Sequence, residues 1–257
     1  MRYFLTLSYR GTHYAGWQIQ PGDPSVQETL ETALSTIFRQ PVGVTGCGRT
    51  DAGVHARYYV AHADLPAPLP PSLLYSLNSL LPADIAVHAV LPMPDTAHAR
   101  FDALERSYVY TITLRKDPFA TETAWHLPKG DLLDLDRMQE AAALLLRYQQ
   151  FFPFCKTHSG VEHYACALTA SHWVAMPEEQ RLEFHVSANR FLRGMVRLIV
   201  GACVQVGQGK LQVADIRRAM DAQAMLKKSW SVPPQGLALN GVKYPYSLGS
   251  DQAQLGA

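Results

Sequence analysis

The feature that most constrains this chain is the order in which two hydrophobic periods alternate along it. Tyr3, Leu5, Leu7 and Tyr9 recur at every second position, the period of a strand with one buried face. Val26, Leu30, Ala33, Leu34 and Ile37 then recur at helical spacing, with Ser25 and Glu28 as a capping box in front and Pro41 as a stop behind. The strand period returns at 42–45, and again at Val54, Ala56, Tyr58 and Val60. Ser72 caps a second helix over Leu73, Leu74, Leu77, Leu80 and Leu81, and 84–91 returns as a strand, so the first hundred residues read βαββαβ. The order recurs with one extra helix. Tyr108, Tyr110, Ile112 and Leu114 mark a strand, 135–146 a helix, 166–174 and 182–186 two strands, 188–206 and 211–222 helices, and 236–244 a closing strand. Two βαββαβ units predict an α+β chain built from two ferredoxin-like units with a largely antiparallel central sheet, divided into domains 1–102 and 103–257. Only 147–165, dense in Phe, His and Cys, follows neither period.

Composition agrees with this size of core. The chain has 257 residues, of which 47% are hydrophobic and 18% charged, enough for two globular domains and unlike a disordered or collagenous chain. No run of eighteen apolar residues occurs and the start lacks a signal-peptide pattern, so the chain reads as soluble and cytoplasmic, with no membrane partner. Four cysteines, Cys47, Cys155, Cys166 and Cys203, are too few for a secreted disulfide framework and fit reduced thiols.

A formal charge of +1 gives no sign of a polyanionic partner, but the sum is not uniform. Between Ala188 and Lys228 there are eight basic residues (Arg190, Arg193, Arg197, Lys210, Arg217, Arg218, Lys227 and Lys228) and two acids, Asp215 and Asp221. This segment therefore carries +6 and the remainder −5. A helix over 188–206 places Leu192, Val196, Ile199 and Cys203 on one face and predicts Arg190, Arg193 and Arg197 along the other, where they face either a polyanion or solvent.

The segment 46–55, GCGRTDAGVH, lies between two expected strands. Its glycines let the backbone approach a ligand closely, and it presents Asp51 beside Arg49 on a tight turn. No Gly-Lys-Ser/Thr follows and no helix begins there, which excludes a phosphate-binding loop and a dinucleotide fingerprint. Cys155, His158, His163 and Cys166 form a C-x2-H-x4-H-x2-C array, but its spacing matches no zinc-finger pattern, and it reads as buried cysteines with exposed histidines rather than a metal site. On the residues alone, two readings stand: a non-catalytic RNA-binding protein on a duplicated ferredoxin-like scaffold, and a zinc hydrolase using this array.

Taken in order, several strings resemble the tRNA pseudouridine synthase A family over essentially the whole chain. They are LSYRGT at 7–12 with Gly16-Trp17-Gln18, Ser25-Val26-Gln27, GRTDAGVH at 48–55, His98-Ala99-Arg100-Phe101 leading to RSYVY at 106–110, Phe191, Met195-Val196-Arg197 with Gly201, and Gly236-Leu237. The resemblance implies a pseudouridine synthase fold, no cofactor and no metal, and isomerisation of uridine to pseudouridine in tRNA at positions 38 to 40 of the anticodon stem-loop. It implies that Asp51 is the catalytic aspartate, that Tyr108 stacks on the target uracil, that Arg197 pairs with the aspartate and that Leu237 walls the pocket. It further implies that Arg49 enters the RNA stack where the target base leaves, that His98, Arg100 and Phe101 contact RNA, and that the enzyme is a homodimer. Two residues depart from the pattern: Arg10 stands where the family usually has Asp, and Asp102 where it often has Ser.

Overall fold

A computed structural model describes residues 1–156 and 163–248; His158 of the Cys/His array lies outside them. The chain forms two compact units, residues 1–104 with the chain from Ala238 onward, and Glu105–Leu237.

In the first unit, β1 (Arg2–Tyr9) leads to α1 (Val26–Phe38), β2 (Val44–Gly46), β3 (His55–Asp64), α2 (Leu73–Leu80) and β4 (Ile85–Pro92). Strand β1 pairs antiparallel with both β3 and β4, and β2 pairs antiparallel with β3. The Ser25 Oγ accepts the Glu28 amide at 3.2 Å, so the expected cap of α1 forms. The helix ends at Arg39, whose φ of 53° is left-handed, two residues before Pro41. Ser72, by contrast, makes no side-chain cap to α2, and its φ of −89° and ψ of 7° differ from the extended geometry that such caps use. Leu73 and Leu77 of that helix are buried, whereas Leu74 and Leu80 are exposed, so its buried stripe is narrower than the leucine spacing suggests. Strand β3 is buried at eight of its ten positions, which is why it lacks the clean alternation expected of a one-sided strand.

The second unit runs β5 (Glu105–Thr113), β6 (Trp125–His126), α3 (Leu135–Leu144), β7 (Leu168–Met176), β8 (Arg181–Ala188), α4 (Met195–Gly207) and α5 (Val213–Ala222). Strand β8 pairs antiparallel with both β5 and β7. Helix α3 packs over β7, where the Ser171 hydroxyl donates to the Ala142 carbonyl at 2.8 Å. The segment with neither period contributes to the core through Phe151 and Phe154, which are essentially fully buried. Its backbone is held by an amide–carbonyl bond from Phe151 to Tyr164 and another from Cys166 to Gln149.

The last strand, β9 (Leu237–Lys243), corrects the expected architecture. It runs parallel to β3, pairing His55 with Ala238 and Ala56 with Leu239, and β6 runs parallel to β5. Among the described residues the nine strands are therefore mixed rather than largely antiparallel, and from Ala238 the closing strand belongs to the first unit instead of completing a second βαββαβ unit. Parallel pairing needs a crossover of about a dozen residues or more. Both pairs have one: residues 114–124 separate β5 from β6, and the whole second unit separates β3 from β9.

A second correction concerns the basic helix. Gly194 adopts a left-handed φ of 71°, and α4 begins only at Met195. Arg190 and Arg193 precede the helix, so three guanidiniums do not line one of its faces. Of its thirteen residues only Arg197 and Gln205 are not buried. Gly201 permits this burial, because a Cβ there would lie 1.7 Å from the Trp230 carbonyl oxygen. Among the described residues, no helix is long and apolar enough to cross a membrane.

Candidate active site

Between β2 and β3, residues 47–54 form the loop that carries Arg49 and Asp51, and it is fixed from both sides. The Cys47 amide donates to the Val60 carbonyl at 2.8 Å, and the Tyr59 hydroxyl donates to the Gly48 carbonyl. The Thr50 hydroxyl meets the Tyr9 hydroxyl at 2.9 Å in a buried contact. Beyond it, the Trp17 amide donates to the Thr50 carbonyl at 3.3 Å, and Gly16 bridges Asp51 in antiparallel fashion. The loop closes on itself through the Val54 amide and the Asp51 carbonyl at 3.1 Å.

Two glycines of the N-terminal segment make this clamp possible. Gly16 has a φ of 106°, and a Cβ on it would fall 2.2 Å from the Thr50 carbonyl oxygen. Gly11 lies so close to Val54 that its Cβ would meet that carbonyl at 2.0 Å, and its amide donates to Nδ1 of buried His55 at 2.9 Å. Behind the loop, the Trp17 and Tyr59 rings stack at 4.1 Å. Held in this way, Asp51 is half-buried and Arg49 is exposed. A carboxylate on a backbone with so few alternatives is pre-organised for chemistry.

His98, Arg100 and Phe101 occupy one turn in the same unit. His98 Nδ1 accepts the amides of Arg100 and Phe101 at 3.1 and 3.2 Å. The His98 and Phe101 rings approach to 4.2 Å, and the Arg100 guanidinium lies 5.7 Å from the Phe101 centroid. Phe101 is 75% exposed, so this platform of flat groups faces solvent.

Tyr108, Arg197 and Leu237 belong to the second unit. Tyr108 is half-buried on β5, edge-on to Phe191 at 5.1 Å and 88°. Tyr110, two positions along, is fully buried; its hydroxyl donates to the Pro233 carbonyl at 2.8 Å, and burial pushes its pKa well above the ordinary tyrosine value. The two tyrosines therefore divide the work of one strand face: Tyr110 braces and Tyr108 presents a ring. Arg197 is a cation in the first turn of α4, where the helix dipole disfavours it. Its Nε donates to the Val232 carbonyl at 2.7 Å, and the Val232 amide returns a bond to the Arg197 carbonyl, which fixes the guanidinium's base. Leu237 is buried just after Gly236, where a Cβ would lie 2.6 Å from the Tyr110 ring.

Tyr9, Trp17, Tyr59 and Val232, which support these groups, carry no mark of that role in the sequence. Gly11 and Gly16 were the available signal, because glycines that flank aromatics mark close backbone approaches. For the Cys/His array, Cys155 and Cys166 are buried and His163 is engaged by Arg190 at 2.8 Å. Among the described residues, no group of three or more His, Cys, Asp and Glu side chains is arranged to hold a metal ion.

A family model described as tRNA pseudouridine synthase matches residues 6–102 and 142–245. Proteins named tRNA pseudouridine synthase A from Porphyromonas gingivalis and Bacteroides thetaiotaomicron are 48% and 44% identical to the chain. The first alignment covers 96% of this chain and 98% of the relative, the second 98% and 94%. A Geobacter protein of the same name is 40% identical over 94% of this chain and 98% of its own length. Neither a passive RNA-binding protein nor a zinc hydrolase accounts for matches of this extent. The chain belongs to the tRNA pseudouridine synthase family and is an isomerase acting on uridine in tRNA.

Proposed function

We propose that Asp51 is the catalytic carboxylate of this isomerase and that its targets are uridines at positions 38 to 40 of the tRNA anticodon stem-loop. In the reaction the N1–C1′ bond breaks, the uracil turns, and C5 bonds to C1′; the proton lost from C5 is balanced by one gained at N1. Asp51 acts at the sugar or the base while the glycosidic bond is open. Tyr108 stacks on the uracil, Leu237 closes the apolar side of its pocket, and Arg197 pairs with the aspartate.

Flipping a uridine from a stem costs a few kcal/mol, and each stacking contact returns roughly 1 to 3 kcal/mol. Tyr108 on the flipped base and Arg49 in the vacated stack together offset much of that cost. His98, Arg100 and Phe101 contact the RNA outside the pocket, and basic residues of 190–228 add sequence-independent phosphate contacts. The enzyme works as a cytoplasmic homodimer without a cofactor. Two copies bring two basic segments to one tRNA, which reconciles a chain of charge +1 with a polyanionic substrate.

The observation that carries this reading is the clamp on the Asp51 loop, in which Gly11 and Gly16 pack against the backbone on either side of the carboxylate with no room for a side chain. The test is a pseudouridine map of tRNA from cells with and without the protein. Loss of pseudouridine confined to 38 to 40 supports the assignment, whereas loss elsewhere in tRNA contradicts it.

A further inference from the structure

We propose that Asp102 is a positioning residue for the tRNA reaction: its carboxylate, backed by Tyr246 and His62, holds the turn at 98–101 in the shape that offers Arg100 and Phe101 to RNA. This rests on the reading above that the turn meets tRNA.

Four successive amides in this turn donate to side chains. The His98 amide donates to Asp102 Oδ2 at 2.8 Å, the Ala99 amide to His62 Nδ1 at 3.1 Å, and those of Arg100 and Phe101 to His98 Nδ1. The Asp102 amide returns to the His98 carbonyl at 3.1 Å, which closes the loop. An exposed turn ordinarily leaves such amides to water and remains mobile. Here they are drawn inward, and the side chains of Arg100 and Phe101 are exposed.

One oxygen of Asp102 does double duty, because Oδ2 also accepts the Tyr246 hydroxyl at 3.0 Å. Burial and the Asp102 carboxylate both raise the Tyr246 pKa, so its hydroxyl stays a donor. Tyr246 stacks on Tyr244 at 5.6 Å and 14°, and the Tyr244 hydroxyl donates to the Ala99 carbonyl at 2.6 Å. The opposite wall is His62, 7% exposed, whose pKa burial lowers to about 4. Its Nδ1 therefore remains an unprotonated acceptor for Ala99 at neutral pH. A serine at 102 has one oxygen on a shorter side chain and would not span both the His98 amide and the Tyr246 hydroxyl. The fixed turn is thus tied to this chain's own aspartate.

The test is a steady-state comparison on an unmodified tRNA transcript, using Phe101→Ala, Asp102→Ala, Asp102→Asn, Tyr246→Phe and the Phe101→Ala/Asp102→Ala double variant. Asp102→Ala is expected to raise KM about tenfold, with kcat within about twofold of wild type, because the contact surface is displaced while Asp51 is untouched. Asp102→Asn keeps an acceptor oxygen and is expected to restore most of the affinity. Tyr246→Phe keeps the ring and removes one donor, with an expected rise in KM of about threefold. In the Phe101→Ala background Asp102→Ala is expected to add less than it does alone, the remainder acting through Arg100. Additive effects, or a fall in kcat at unchanged KM, would overturn the positioning role. A raised KM for Phe101→Ala but not for Asp102→Ala overturns this inference alone. If Phe101→Ala itself leaves KM at the wild-type value, the assignment of the turn to tRNA fails as well.

Discussion

Replacing Gly16 with alanine probes the clamp on the loop that carries Asp51. The new Cβ would sit 2.2 Å from the Thr50 carbonyl oxygen, about 1 Å inside the tightest separation that packed atoms tolerate. The obstacle is backbone, so it cannot rotate away, and the chain at Thr50–Asp51 must move by about that 1 Å. The φ of 106° adds strain of about 1 to 3 kcal/mol for a residue with a side chain. A misplacement of 1 Å at a reacting group can lower the rate about 100-fold, and that is the loss of kcat expected for Gly16→Ala. Gly22→Ala provides the control: φ there is 85°, so backbone strain is comparable, but a Cβ would meet nothing within 4 Å. The assay follows tritium released from C5 when tRNA carrying [5-³H]uridine is converted, under conditions where circular dichroism shows both variants folded. Gly22→Ala is expected to turn over at the wild-type rate. A folded Gly16→Ala with wild-type kcat, or an equal loss in both variants, would refute the claim that close packing at Gly16 sets the position of Asp51.

Gly201→Ala should destabilise the second unit by about 3 kcal/mol or more, read as a fall in thermal midpoint, because its Cβ has no space beside the Trp230 carbonyl. Tyr110→Phe removes the hydroxyl that meets Pro233 and leaves that carbonyl without it, an expected cost of about 1 to 2 kcal/mol by urea unfolding. For His62, the folded-state pKa of about 4 lies below the ordinary 6.5, so the unfolded chain binds more protons between those values. Its contribution is intact above pH 6.5 and is lost as the pH falls toward 4, by about 3 kcal/mol in urea titrations, and His62→Gln should flatten that slope.

Much of this fold was legible because burial in α1 and β8 is one-sided, so periodicity recorded it directly. Where burial becomes two-sided the signal is lost: β3 and α4 are covered nearly all round, and in α4 the apolar run hides where the helix begins. The start is set by Gly194, a single residue in left-handed geometry, which helical spacing alone does not mark. The pairing of β9 with β3 joins residues nearly two hundred positions apart, and no local pattern encodes such a partner or its direction. At the site, the GRTDAGVH string identified the loop, since its glycines and its charged pair are local. What holds the loop was not visible in that string: Tyr9, Trp17 and Tyr59 are ordinary strand and turn aromatics until the fold brings them together. Asp102 read as a departure from the family pattern, and its bonds to His98 and Tyr246 give it a physical role.

The measurement closest to the central claim is single-turnover conversion of an unmodified tRNA by the wild type and by Asp51→Asn, with tRNA binding measured in parallel. Asn keeps the size of the side chain and removes its charge and basicity. The account predicts tRNA affinity within about threefold of wild type and a rate of pseudouridine formation lower by about a thousandfold or more. Formation of pseudouridine by Asp51→Asn at the wild-type rate would contradict it.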